Sequence, residues 1–210
     1  IGSYGNRWAN ITLSNSDFVL VLGSRLDVRQ TGSQVKEFKG NKTIYHVDCE
    51  KGEINNRISG CVVVNSTLQS FLTSIIKYIG KKEFQTRKDW IDEINYLKNL
   101  FPDYKENSKI SGINPNNFMH KLSKFSKKAS VIVSDVGQHQ MWAAQSLELR
   151  KNQRFLTSGG MGSMGFGLPA SIGAAFTKSP SPIVLIAGDG GFQSNIQELQ
   201  TVAHHNLPIK

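Results

Sequence analysis

The chain has 210 residues, room for one large domain or two small ones, and its 39% hydrophobic content suits a globular protein. No apolar run approaches the length of a membrane span and no charged-then-apolar signal segment opens it, so no membrane partner is expected. Its net charge of +9 raises nucleic-acid binding, but the excess lies between Lys77 and Lys128, is broken by Glu83, Asp89, Asp92, Glu93 and Asp103, and carries no nucleic-acid motif; a solvated mixed-charge helical surface is expected, and no nucleic acid.

In chain order, a helix is predicted over Asn6–Leu13 and a strand over Phe18–Leu22. Strands follow at Thr43–Val47 and Cys61–Val64. Ser66–Ile79 carries Leu68, Leu72, Ile75, Ile76 and Ile79 at helical spacing. This order reads as the second half of a doubly wound α/β domain, residues 1–80. Cys49 and Cys61 lack metal-ligand spacing. They read as small buried residues in a reducing compartment, hence a cytoplasmic protein, with a disulfide as the less favoured alternative.

Glu83–Leu100 is expected to be an amphipathic helix, and the Pro-, Gly- and Asn-rich stretch after Pro102 completes a helical linker, 81–115. The second domain, 116–210, is predicted to begin with helix Asn116–Phe125 and strand Val131–Ser134. Its next strand is expected at Ile183–Ala187, and a helix over Ser194–His204 with Ser194 and Gln197 as a capping box. Pro208-Ile209 reads as the start of another strand, so the chain is expected to stop inside this domain. Ile1 in place of Met suggests that the first residue is not a native start.

The chemistry concentrates in the second domain. Ile183-Val184-Leu185-Ile186-Ala187 runs into Gly188-Asp189-Gly190-Gly191-Phe192, a buried strand ending in a glycine turn that presents one carboxylate. Glycines let backbone amides approach an anion, and Asp189 offers a hard oxygen for a magnesium-sized cation. A following helix start adds partial positive charge. Such a turn is also met as a plain strand–turn–helix, with Asp189 serving only the helix dipole. Upstream stand Val136-Gly137-Gln138-His139-Gln140-Met141-Trp142, after a strand, and Ser158-Gly159-Gly160-Met161-Gly162-Ser163-Met164-Gly165-Phe166-Gly167. Gln138 and His139 can donate to phosphate oxygens, or be ordinary polar loop residues. Met164 can pack against a ring, or be core.

Together these three segments resemble the diphosphate-binding domain of thiamine-diphosphate enzymes, with the catalytic subunit of acetolactate (acetohydroxyacid) synthases as the nearest likeness. Tyr4-Gly5-Asn6-Arg7 and Gly23-Ser24-Arg25-Leu26-Asp27-Val28-Arg29 resemble that family's central domain, so the likeness covers nearly the whole chain. The resemblance implies two doubly wound parallel-sheet α/β domains, both incomplete. It implies thiamine diphosphate and Mg2+ as cofactors, with Gly137, Gln138, His139, Gly188, Gly190 and Gly191 at the diphosphate. Asp189 is the implied metal ligand, and an asparagine beyond Lys210 the second. Gly162 carbonyl and Met164 amide would meet the aminopyrimidine, and the Met164 side chain would support the bent cofactor.

The resemblance further implies decarboxylation of pyruvate and carboligation to a second 2-oxo acid, in a homodimer or homotetramer. The family's catalytic glutamate belongs to a separate pyrimidine-binding domain. Glu148 and Glu198 lack its context, so no catalytic residue is assigned and the 210 residues alone are expected to be inactive. Gly23, Arg25, Asp27, Arg29 and Asp48 match positions that line a flavin adenine dinucleotide (FAD) site in acetolactate synthases. Tyr4 stands where a histidine often precedes the glycine, and related enzymes keep this domain without FAD, so FAD stays open. A different decarboxylase or lyase, or a non-catalytic nucleotide- or flavin-binding module, are the alternatives.

Overall fold

The computed structural model describes residues 1–106, 111–177 and 181–210. They form two compact units, Ile1–Pro102 and Asp103–Lys210. Residues 107–110, within the expected linker, lie outside the described residues.

The first unit runs α1 (Arg7–Asn15), β1 (Phe18–Leu22), α2 (Val28–Thr31), α3 (Val35–Lys39), β2 (Thr43–Asp48), β3 (Val62–Asn65), α4 (Leu68–Ile79) and α5 (Lys88–Leu100). The strands form a parallel sheet in the order β1-β2-β3. Val21, Leu26, Ile44, Ile58 and Cys61 make its core, with Val19, Val35 and Phe38 packed against them. Thr67 caps α4, accepting from the Ser70 amide at 3.2 Å. Lys98 of α5 lies over the Trp8 ring of α1 and Arg7 over Phe101, so the two helices run against each other.

Two readings change here. The short helices α2 and α3 were not expected, and Asp27, one of the positions left open for a flavin, caps α2. Its carboxylate accepts from the Arg29 and Gln30 amides, while Gln30 returns a bond to the Asp27 amide. Cys49 is exposed rather than buried, while Cys61 is buried; both are free thiols. Burial pushes the Cys61 thiol up from its ordinary value, against a smaller lowering by Lys39.

The second unit runs α6 (Asp103–Glu106), α7 (Pro115–Phe125), β4 (Val131–Ser134), α8 (Gln138–Ser146), β5 (Arg154–Thr157), α9 (Gly167–Thr177), β6 (Ile183–Ile186), α10 (Asp189–Gln193) and α11 (Leu199–His204). Its parallel sheet has the order β5-β4-β6. Strand β5 was not expected: its four residues carry no long apolar run, and only the pairing with β4 reveals it. β4 is buried throughout because it lies between two strands and two helical layers. Its side chains alternate between them. Val131 and Val133 pack with Ala174 and Ala175 of α9, while Ile132 faces Met119 of α7 and Ala143 of α8. Asn114 caps α7 and Pro115 opens it, where a missing N–H costs nothing.

α10 ends at Gln193, before the expected helix over 194–204, whose span instead holds a 3-10 turn at Ile196–Glu198 followed by α11. The Ser194–Gln197 capping box does not form. Ser194 lies at the end of α10, and its hydroxyl donates back to the Gly190 carbonyl at 3.0 Å. Ile209 bridges in parallel to Ile183, on the side of β6 away from β4. Among the described residues no helix is long and apolar enough to cross a membrane.

Candidate diphosphate site at the strand ends

In an open parallel sheet the loops at the carboxyl ends of the strands collect ligands. Here β4 ends at Ser134 and β6 at Ile186, and the Asp135 amide donates to the Ile186 carbonyl at 2.9 Å, which fixes the two exits side by side. The Val136–His139 loop leaves one strand and the Gly188–Gly191 turn leaves the other.

His139 joins these loops. A Cβ on Gly137 would stand 2.7 Å from His139 Cε1, and a Cβ on Gly188 3.2 Å from the same atom. The imidazole therefore lies where both glycines leave room. Its Nε2 is buried with no hydrogen-bond partner among the described residues, so a buried polar nitrogen between two glycine loops is left for a hydrogen-bonding ligand. Gln138 is the first residue of α8 and its side chain is exposed.

Asp189 opens α10 and is exposed, its Oδ1 accepting from the Gly190 amide at 2.8 Å. Gly190 is exposed beside it and Gly191 is buried. Among the described residues no group of three or more His, Cys, Asp or Glu could hold a metal ion. Asp189 is thus a single hard oxygen donor, and a divalent cation here would complete its shell with ligand oxygens and water.

The Ser158–Gly167 loop supplies the third side. It folds on itself: the Gly162 amide donates to the Ser158 carbonyl at 3.1 Å and the Ser163 amide to Ser158 Oγ at 3.1 Å. Gly162 has φ +65°, a left-handed conformation that costs a glycine little. Met164 is 62% exposed and its Cε lies 3.8 Å from where a Gly190 Cβ would be. Met164 is therefore not core; it reaches over the Gly188–Gly191 turn with most of its surface free.

The sequence reading missed Asp135. Its residue is 0% exposed, and its carboxylate accepts from the Val136 and Gly165 amides. The available signal was a carboxylate directly after an apolar strand. Asn195 was not singled out either, yet its Nδ2 donates to the Gly165 carbonyl at 2.7 Å. Glu148 pairs with His120 Nδ1 at 3.1 Å and Glu198 accepts from Thr201 at 3.3 Å. Both are held by local partners.

In the first unit, Gly23 follows β1 with φ +62° and its amide donates to the Val47 carbonyl at 2.9 Å. Asp48 ends β2, buried, and accepts from the Glu50 amide at 2.8 Å. Arg25 and Asp27 line an open cavity with Val28, Glu53, Asn56 and Arg57. Arg29 is exposed, and the lining of that cavity does not include it, Gly23 or Asp48.

Two parallel α/β units, the second with glycine loops that meet at a buried histidine nitrogen without a partner among the described residues, make a strand-end arrangement of the kind that ligands occupy in open α/β sheets. Comparison with known families agrees. Residues 1–75 match the central domain of thiamine pyrophosphate enzymes, and residues 135–210 match their C-terminal TPP binding domain. The chain belongs to the thiamine pyrophosphate enzyme family. It is 35% identical over 210 residues to the acetolactate synthase large subunit of Buchnera aphidicola subsp. Schizaphis graminum, covering all of this chain and 36% of that protein. The probable acetolactate synthase large subunit of Methanococcus aeolicus is 35% identical over 223 residues, with 37% of its length covered. Acetolactate synthase 2, chloroplastic, of Nicotiana tabacum is 37% identical over 215 residues, with 32% covered. The chain thus spans about a third of the length of these relatives.

Proposed function

We propose that this chain is part of an acetolactate synthase, and that residues 135–195 hold thiamine diphosphate through a magnesium ion. The observation that carries the reading is the His139 nitrogen, without a partner among the described residues, where the Gly137 and Gly188 loops meet. In this reading His139 Nε2 and the Gln138 amide group donate to phosphate oxygens, and the glycine turn 188–191 admits the diphosphate close to the backbone. Asp189 ligates magnesium through the face of its carboxylate not committed to Gly190. Gly162 and Met164 meet the aminopyrimidine end. When bound, thiamine diphosphate supplies the electron sink for decarboxylating one 2-oxo acid and joining the remainder to a second.

The residues of this chain bind and orient; the proton-transferring glutamate comes, in this reading, from elsewhere in a cytoplasmic homodimer or homotetramer. The engagement of Glu148 and Glu198 by other partners supports that division. In the first unit the same proposal places an FAD diphosphate near Gly23 and Arg25, Arg29 at its margin and Asp48 toward its ribose. Asp27 serves there as the cap of α2.

The test is product analysis by mass spectrometry with the full-length protein, magnesium and thiamine diphosphate. Acetolactate from pyruvate alone, and a mixed product when 2-oxobutyrate is added, is the expected result. Acetaldehyde as the sole product would overturn the synthase assignment in favour of a simple decarboxylase.

A further inference from the structure

Asp135 and Asn195 grip the same glycine from opposite sides. Asp135 is held by the sheet, since its amide still bonds the Ile186 carbonyl at 2.9 Å. Its Oδ1 accepts from Val136 N at 2.8 Å and from Gly165 N at 3.0 Å, and its Oδ2 from Gly165 N at 3.2 Å. The carboxylate has no freedom to move away. A Cβ on Gly167 would stand 2.8 Å from Asp135 Cβ, and a Cβ on Gly191 would overlap Asp135 Oδ2. Two glycines therefore make the slot in which the carboxylate sits.

Gly165 N belongs to the peptide plane that also carries the Met164 carbonyl. Asp135 thus fixes the plane immediately after Met164. The next plane carries the Gly165 carbonyl, which accepts from Asn195 Nδ2 at 2.7 Å. Between the two planes Gly165 has φ +85°, and a Cβ there would stand 2.7 Å from Asn195 Nδ2 and 3.0 Å from Ser194 Cβ. Two successive peptide planes are set by side chains from two different strand exits, with a glycine as the joint between them. A buried carboxylate whose partners are backbone N–H groups is a strong and directional acceptor.

We propose that Asp135 and Asn195 are positioning residues that lock the Met164–Gly165 turn against the Gly188–Gly191 turn, so that the cofactor meets a preformed Met164. The proposal rests on the thiamine diphosphate reading above. Neither side chain need touch the cofactor. Their effect is to remove the reorganisation that a glycine-rich loop would otherwise undergo at each turnover.

The experiment uses the full-length protein, with Asn195→Ala and Asp135→Asn. Hydrogen exchange without cofactor reads the lock itself. The peptide spanning Met164–Phe166 should exchange at least about tenfold faster in each variant, while Val131–Ser134 keeps its protection. With cofactor, acetolactate turnover should fall about ten- to a hundredfold while the thiamine diphosphate Kd, by calorimetry, changes less than about threefold. Loss of β4 protection in Asp135→Asn would mean that the carboxylate is needed to fold, and Asn195→Ala then decides alone. Unchanged exchange at Met164–Phe166 overturns the lock. Turnover and affinity falling together overturns the positioning role, since the anchor would then have been lost. A wild-type protein that binds no thiamine diphosphate would sink the proposed function, while the exchange result would still decide whether the lock exists.

Discussion

Gly191→Ala tests the geometry of the second unit most severely. The added methyl group would overlap Asp135 Oδ2 and stand 3.0 Å from its Cγ. That carboxylate cannot swing aside freely, because Gly167 closes on its Cβ and the Val136 and Gly165 amides hold its oxygens. Overpacking of a tight site costs roughly 1–3 kcal/mol. Loss of the bond between a charged acceptor and the Gly165 amide adds about 1.5–3 kcal/mol. Alanine in a helix returns up to about 1 kcal/mol. The net expectation is a destabilisation of roughly 1.5–6 kcal/mol. With a urea slope of about 2 kcal/mol/M, that lowers the midpoint by about 1–3 M. The reporter is Trp142 fluorescence, since this ring packs on the Met119–Ile132–Ala143 cluster; Trp8 and Trp90 of the first unit are replaced by Phe. Gly173→Ala is the matched control. It sits exposed on α9 with nothing within 4 Å of the added carbon, so stability should rise by about 0.4–1 kcal/mol. A Gly191→Ala midpoint equal to wild type would refute the seating of Asp135 in its slot.

The other expectations concern Met164 and the thiols. Met164→Ala should lower turnover at least about tenfold with little change in thiamine diphosphate affinity, because the proposed diphosphate anchors are elsewhere; calorimetry and steady-state rates on the same preparations check this, and loss of binding at unchanged turnover would reverse the assignment. Cys49 should react with a thiol reagent at the rate of an exposed cysteine, and Cys61 at least about a hundredfold more slowly at pH 8. The Cys61 thiol is raised by burial, so the folded state keeps its proton where the unfolded state has lost it. Its contribution to stability is full below the ordinary thiol value and declines as pH rises through about 9 toward the folded value. Thermal melts from pH 7 to 10 should show that alkaline decline, and Cys61→Ala should flatten it.

The legibility of the sequence followed how much of each element's signal was local. Phe18–Leu22 and Val131–Ser134 were read with the bounds they have, because an apolar run between polar turns is enough for a buried parallel strand. Arg154–Thr157 was missed because its strand character comes from pairing with β4 rather than from its own four residues. The helix predicted over Ser194–His204 begins only at Leu199, and the Asn195 side chain goes instead to Gly165, a contact with a loop far away in sequence. The glycine motifs were plain, since close backbone approach leaves no substitute for glycine. Asp27 carried a capping signal with Gln30 that was overshadowed by its place beside two arginines. Asp135 was silent because its importance lies in which glycines surround it, and only folding brings Gly165, Gly167 and Gly191 to one carboxylate.

The central claim is that the strand ends of the second unit hold thiamine diphosphate through a metal on Asp189. The most direct measurement is calorimetric titration of thiamine diphosphate into the full-length protein, with and without magnesium, for wild type and Asp189→Ala. The account predicts magnesium-dependent binding by the wild-type protein, weakened about a hundredfold or more when this charged ligand is lost, an effect of a few kcal/mol. Affinity within about twofold of wild type in Asp189→Ala, or wild-type binding indifferent to magnesium, would contradict it.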